Sequence, residues 1–258
     1  MKCIFCNNKI IGNKSREHIL PLWLLKEFGF KDDLVFPTHY NEQGEVISQR
    51  NQTLNKFVEG HICSKCNNGW MSKLETDNIE LIKDLALSKT NILKISDKQA
   101  IKLAQWTYKT ALCLHSASNY RKIIDNKHFV YFYKNKLSIP PDVYVVGKNV
   151  PLKNGWSWIQ STSWWIDQTF GKIEPKDIEY IKSSAYKISI HIKDLLLLVA
   201  FNPISNSRSL LWKYIHVPLF PRSGPVTWLE KEPELPQDPI KAHVAFHCSF
   251  GIAKQMAN

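Results

Sequence analysis

The chain has 258 residues, 44% of them hydrophobic and 22% charged, which is enough to bury a sizeable core and excludes an intrinsically disordered chain. No run approaches the roughly 18 apolar residues of a membrane helix, and the start MKCIFCNNK has no apolar leader, so a cytoplasmic protein with no membrane partner is expected. The formal net charge of +11 points to a polyanionic partner, nucleic acid before an anionic membrane.

From the N-terminus, the first pattern is CIFC at 3–6, matched by CSKC at 63–66. In a reducing compartment, paired C-x-x-C units favour zinc over disulfides. The two residues between cysteines let a tight turn aim both sulfurs at one ion, and two such turns complete a tetrahedral shell. Cys3, Cys6, Cys63 and Cys66 are therefore the expected ligands of a structural Zn2+. The 56 residues between Cys6 and Cys63 exceed a minimal ribbon, so other structure is expected inside the loop. Cys113 and Cys248 stand alone in apolar segments and are expected to be inert core thiols.

Inside that loop, Ser15 to Leu20 reads as an extended segment ending at Pro21. It contains Glu17 beside His18; adjacent residues on a strand point to opposite faces, so the pair can flank a third object. LWLLKEFGF follows as a short helix stopped by Gly29. Residues 34–62 read as extended, with a turn at NEQG (41–44) and a strand starting at VIS. His61, two residues before Cys63, reads as a strand residue or as a contributor to the site. After the second cysteine pair, NNGWMSKLETDNIELIKDLAL reads as a helix with Trp70, Leu74, Leu81 and Leu85 near one face and Lys73 elsewhere, either solvated or on a phosphate.

C-x-x-C, then E-H-I-x-P, then C-x-x-C-N-N-G opening a helix resembles the HNH nuclease superfamily, the ββα-metal fold. The resemblance covers about the first 80 to 90 residues and is to the zinc-bearing branch that includes phage endonuclease VII. CIFC…REHILPLWL…CSKCNNGWMSKLE is also similar to a group of uncharacterised bacterial HNH proteins. The resemblance implies that Cys3, Cys6, Cys63 and Cys66 hold structural zinc, and that Glu17, in a place usually held by Asp, binds a catalytic Mg2+ or Mn2+. It implies that His18 is the general base and that Asn67 is the second ligand of the catalytic ion, with Asn68 as the alternative in a register shifted by one. The middle Asn of the motif often lies about five residues before the third cysteine. That place is Val58 here, so Asn55 is the nearest candidate for orienting His18.

Further along, Ser96 with Gln99 reads as a capping box opening a helix of about twenty residues, DKQAIKLAQWTYKTALCLHSA. Ile101, Ala104, Tyr108, Ala111, Leu112 and His115 form its stripe, widened by Leu103, Trp106 and Leu114, so a central helix is expected. YRKIIDNKHFVYFYKNK (120–136) interleaves Arg121, Lys122, Lys127, Lys134 and Lys136 with aromatics. That pattern suits a nucleic-acid contact, cations on phosphates and rings on bases, or an ordinary strand FVYFY with a basic flank. DVYVV, WSWIQSTSWWI, AYKISIHI, LLLLVAFN, LLWKYIHV and AHVAFHC read as strands, and Trp164–Trp165 as core or interface. The fold expected is α+β: an HNH domain over 1–92, then a basic, Trp-rich domain over 93–258 with a helix on a mainly antiparallel sheet. Residues 1–92 hold 12 Lys and Arg against 11 Asp and Glu, and residues 93–258 hold 22 against 12, so the second part supplies the attraction to an anion.

The expected function is a metal-dependent endonuclease hydrolysing phosphodiester bonds in DNA, in restriction or antiphage defence by analogy with bacterial HNH proteins. Two alternatives carry the same residues: a zinc-stabilised nucleic-acid-binding protein without catalysis, and a nuclease subunit active only with a protein partner or a second copy docked on the C-terminal domain.

Overall fold

In the computed structural model, which describes residues 1–11, 15–41, 43, 45–118, 122–151, 155–168, 172–204, 207–211, 216–222 and 234–254, the chain is α+β with a mainly antiparallel sheet. The first C-x-x-C is a tight turn: the Cys3 N–H donates to Asn8 O and the Asn7 N–H to Cys3 O, both at 2.9 Å. Asn7 takes φ 58°, a left-handed conformation that its short polar side chain tolerates. β1 (Glu17–His18) follows, then α1 (Leu22–Glu27), which Gly29 ends at φ +73° as expected. β2 (Leu34–Val35), β3 (Thr38–Tyr40), β4 (Val46–Gln49) and β5 (Gln52–Thr53) form a two-tier arm in which β3 pairs β4 and β2 pairs β5. β6 (Val58–Glu59) returns antiparallel to β1, placing Glu17 opposite Glu59 and His18 opposite Val58.

The segment expected as one helix after Asn67 is broken twice. α2 (Ser64–Cys66) runs into a wide turn over Asn67–Met71, where Gly69 leaves helical space at φ −95°, ψ −108°. α3 (Ser72–Thr76) then stops at buried Asn78, whose side-chain amide donates to Leu74 O at 2.8 Å and competes with the backbone ladder. α4 (Ile79–Ala86) restarts the helix.

α5 (Asp97–Ala117) is the central helix, and both arms of the predicted capping box form: Ser96 N–H to Gln99 Oε1 at 2.9 Å and Gln99 N–H to Ser96 Oγ at 3.3 Å. Of its expected stripe only Ile101 is exposed. The FVYFY stretch is not a strand. It lies in α6 (Asn126–Lys134), capped by the Asp125 side chain, which accepts from Lys127 N at 2.8 Å. Its buried residues His128, Phe129 and Phe132 recur at helical spacing, and that outweighs the strand preference of aromatics.

The main sheet has the order β13–β7–β11–β10–β8, all antiparallel, from β7 (Val143–Asn149), β8 (Trp156–Ser161), β10 (Tyr186–Ile192), β11 (Leu195–Phe201) and β13 (Val217–Phe220). Between them lie β9 (Ile166–Asp167), α7 (Pro175–Ser184), a helix absent from the sequence expectation, and β12 (Ser207–Leu211). AHVAFHC is also helical, in α8 (Pro239–Cys248), opened by Pro239 at its first position and by Asp238, which accepts from Lys241 N at 2.8 Å. β14 (Phe250–Lys254) pairs antiparallel with β12 and parallel with β9. Residues 212–215 of LLWKYIHV lie outside the described residues.

Alternation along β10 and β11 divides the core. Ile188, Ile190, Ile192, Leu195, Leu197 and Val199 share a cluster with α5, whereas Leu196, Leu198 and Ala200 share one with Ala242 and Phe246 of α8. The first cluster does not stop at residue 92; it runs from Cys3 to Leu219. Phe5 meets Trp70 at 5.2 Å and Phe129 of α6 at 5.5 Å, both edge-on, within the one cluster that also holds the sheet residues Ile188 and Leu197. Trp165 donates its indole N–H to Ser249 O at 3.1 Å and crosses Gly251, where an added Cβ would lie 2.3 Å from the ring. Both tryptophans are half-buried, and Trp164 packs against the clusters that hold Phe250 and Ile252. Cys113 is buried as expected, but Cys248 is exposed, because helix α8 turns it away from the sheet. Among the described residues no helix is long and apolar enough to cross a membrane.

Candidate functional site

The four paired cysteines converge. Their sulfurs all lie within 4.8 Å of one another, with Cys6 Sγ and Cys63 Sγ 3.7 Å apart. Local backbone holds them: Cys66 N and Asn67 N both donate to Cys63 O, and Ile4 N donates to His61 O, joining the two turns. All four are free thiols. A hydrogen bond from Cys66 pulls the Cys3 thiol down to about 4, while the same bond, with burial, pushes Cys66 up. The four sulfurs are close enough to hold a metal ion such as zinc.

The β1–β6 ribbon lies inside the loop that these cysteines close. His18 is half-buried on β1, and Asn55 faces its ring with both side chain and backbone. Burial lowers the imidazole below its usual range; Asn55 acts against that shift and Arg16 with it. Asn67, directly after Cys66, is half-buried, and its side-chain amide donates to Ser15 Oγ, two residues ahead of Glu17. Asn68 is exposed. His61 is mostly exposed and holds buried Glu59 through its Nδ1 at 2.7 Å. Lys73 is exposed.

Glu17 is buried at 7% exposure and turned toward α5. The Lys109 ammonium, with no exposed surface, reaches Glu17 Oε1 at 3.3 Å and Glu75 Oε1 at 2.7 Å. Burial raises the Glu17 carboxyl, Lys109 lowers it, and Glu75, whose carboxyl faces it, raises it again. Burial alone would discharge Lys109, but Glu75 and Glu17 outweigh it and hold the amine above its usual range. Sequence reasoning missed both partners. The available signal was Lys109 itself: every residue from Trp106 to His115 is buried, and a charge on a helix buried all round needs a counter-charge.

The basic segment is less available than its composition suggests. Arg121 lies outside the described residues. Lys122 donates to the carbonyls of His115, Ser116 and Ser118 at 3.0, 2.7 and 2.7 Å, so it caps the C-terminal end of α5. Phe129 and Phe132 are buried and offer no face to a base, which corrects that part of the expectation. Lys127, Lys134 and Lys136 are exposed, Lys127 with Asp125 at 3.4 Å.

A second polar cluster lies between the sheet and α8. Ser157 Oγ meets His243 Nδ1 at 2.7 Å, Ser189 Oγ meets His243 Nε2 at 2.7 Å and His247 Nδ1 at 2.8 Å, and Ser161 Oγ meets His247 Nε2 at 2.8 Å. His191 Nδ1 is 3.5 Å from Ser157 Oγ, and its Nε2 donates to Lys193 O at 2.5 Å. Compared with models of known families, with characterised proteins and with solved structures, the chain matches none of them.

Proposed function

We propose that the chain is a metal-dependent endonuclease of the HNH type that hydrolyses phosphodiester bonds in DNA. The observation that carries this reading is His18 on the β1–β6 ribbon with Asn55 against its ring, inside a loop closed by four clustered cysteines. Ribbon and following helical stretch support a ββα unit, with zinc on Cys3, Cys6, Cys63 and Cys66 as its staple. Glu17 and Asn67 offer a carboxylate and an amide oxygen, the hard donors that Mg2+ and Mn2+ prefer, so this pair would hold the catalytic ion. When bound there, such an ion polarises the scissile phosphate and stabilises charge on the leaving oxygen.

The chain's own residues supply the rest. Burial keeps the His18 ring neutral near pH 7, the form that takes a proton from water. A ring N–H given to Asn55 fixes the tautomer and leaves the other nitrogen for that proton. The excess of ten positive charges after residue 92 attracts the polyanion, and Lys127, Lys134 and Lys136 are exposed cations in that part. One observation favours a second reading, a zinc-stabilised nucleic-acid-binding protein without catalysis: Glu17 already has Lys109 as a partner.

Incubating the purified chain with supercoiled plasmid in Mg2+, Mn2+ or EDTA separates the two. Nicking that needs a divalent ion is the expected result. A salt-sensitive gel shift with intact plasmid in every metal would favour the second reading.

A further inference from the structure

Glu17 is one methylene longer than the aspartate usual at its place, and it stands on a strand of only two residues. A ribbon that short fixes the backbone but not a side chain with three rotatable bonds. What meets the carboxylate is Lys109, delivered from α5, 92 residues along the chain, and shared with Glu75 of α3. Lys109 has no exposed surface. An apolar side chain of the same length would fill this part of α5 without desolvating a charge. Two carboxylates face one ammonium, so Lys109 is not consumed by a single partner and Glu17 Oε1 is the more distant of its two contacts.

We propose that Lys109 is a positioning residue of the candidate site: its ammonium pins Glu17 between α5 and α3 so that the carboxylate is presented in one orientation to a divalent ion. This rests on the nuclease reading, in which Glu17 is a ligand of that ion. It makes α5, which packs in the same hydrophobic cluster as Cys3 and Phe5, part of the working unit. A nuclease fragment ending at residue 92 would lack the residue that holds Glu17.

The test is Mn2+ binding to the zinc-loaded full chain without DNA, read from the free Mn2+ signal in electron paramagnetic resonance, beside plasmid cleavage. Lys109→Met is expected to weaken Mn2+ binding at least tenfold, and Lys109→Arg, which keeps the charge, to stay within threefold of wild type. Should the methionine variant fail to fold, Lys109→Gln takes its place. Binding by the folded neutral variant within threefold of wild type overturns the proposal while leaving the nuclease reading intact. Tighter binding overturns it as well, since Lys109 would then be a competitor of the ion. A wild-type chain that neither binds Mn2+ nor cleaves overturns both.

Discussion

Replacing Cys63 by serine is expected to abolish zinc binding and with it the fold of the first seventy-odd residues. The elements there are too short to persist alone: β1, β2, β5 and β6 have two residues each. An isolated ribbon of that size is marginal in water. The four sulfurs meet across a loop of 56 residues, where an ion would join the chain start to the turn before α3, and Cys3 and Cys66 are buried, as are Phe5, Ile62 and Met71. Structural zinc contributes about 10 to 16 kcal/mol of apparent binding energy in small zinc domains, comparable to the whole stability of an ordinary protein. Elemental analysis should give about one zinc per wild-type chain and almost none in the variant. Hydrogen exchange should show residues 1–76 unprotected in the variant while β10 and β11, covered by α8, stay protected. A wild-type chain without zinc and with that segment folded would contradict the expectation.

Acid is expected to destabilise the protein from about pH 6.5 downward, before its carboxylates begin to titrate. The histidine–serine cluster has one consistent set of hydrogen bonds. Lys193 O can only accept, so His191 Nε2 carries the proton and its Nδ1 is bare. Ser157 then donates to His191 and accepts from His243 Nδ1, Ser189 donates to His243 Nε2 and accepts from His247 Nδ1, and Ser161 donates to His247 Nε2. Every ring is neutral, and a second proton on His243 or His191 turns an accepting nitrogen into a donor. Burial is the first cause of the lowered basicity in all three, down to about 3 in His243; Lys187 adds repulsion at His247, and Asp194 opposes the shift at His191. His115, which accepts from Ile124 N and faces Gln160, and His128, which meets the hydroxyls of Tyr108 and Tyr186, are each lowered to about 4, again by burial first.

The sign follows. These histidines titrate near 6.5 when unfolded and much lower when folded, so below about pH 6.5 the unfolded chain binds more protons and stability falls. The contribution is complete above pH 6.5 and is lost as pH drops toward the folded values. For His115, His128 and His243 the loss at pH 4 is about 3 kcal/mol each, enough together to exceed the lower part of the usual 5–15 kcal/mol range. The urea midpoint at constant ionic strength should be flat above pH 7 and fall between pH 6.5 and 5, before carboxylates protonate. A midpoint unchanged from pH 7 to 5 would rule this out.

What could be read in the sequence was what is local. The cysteine spacing led to the sulfur cluster, and the capping box at Ser96 and the stop at Gly29 are decided within four residues. The contact between Asn55 and His18 was also legible, because the resemblance left one asparagine near the required place. α6 and α8 were misread because their aromatic and β-branched content favours strands, while the buried positions, 128, 129 and 132 in one and 242, 243, 246 and 247 in the other, carry the helical period. Lys122 counts in the sequence as a cation for a phosphate or a solvated flank, because composition shows a charge but not the carbonyls folded beneath it. Glu75 and Lys109 could not be joined to Glu17 from spacing, since the fold brings together three elements far apart in the chain.

The central claim is that His18 is the base of a phosphodiester hydrolase. Its most direct test is the single-turnover rate of DNA cleavage by His18→Ala against wild type at saturating Mn2+, with zinc content and DNA affinity matched. Loss of a general base predicts a rate lower by about 10² to 10⁴ with unchanged binding. Equal rates for the two proteins would contradict the claim.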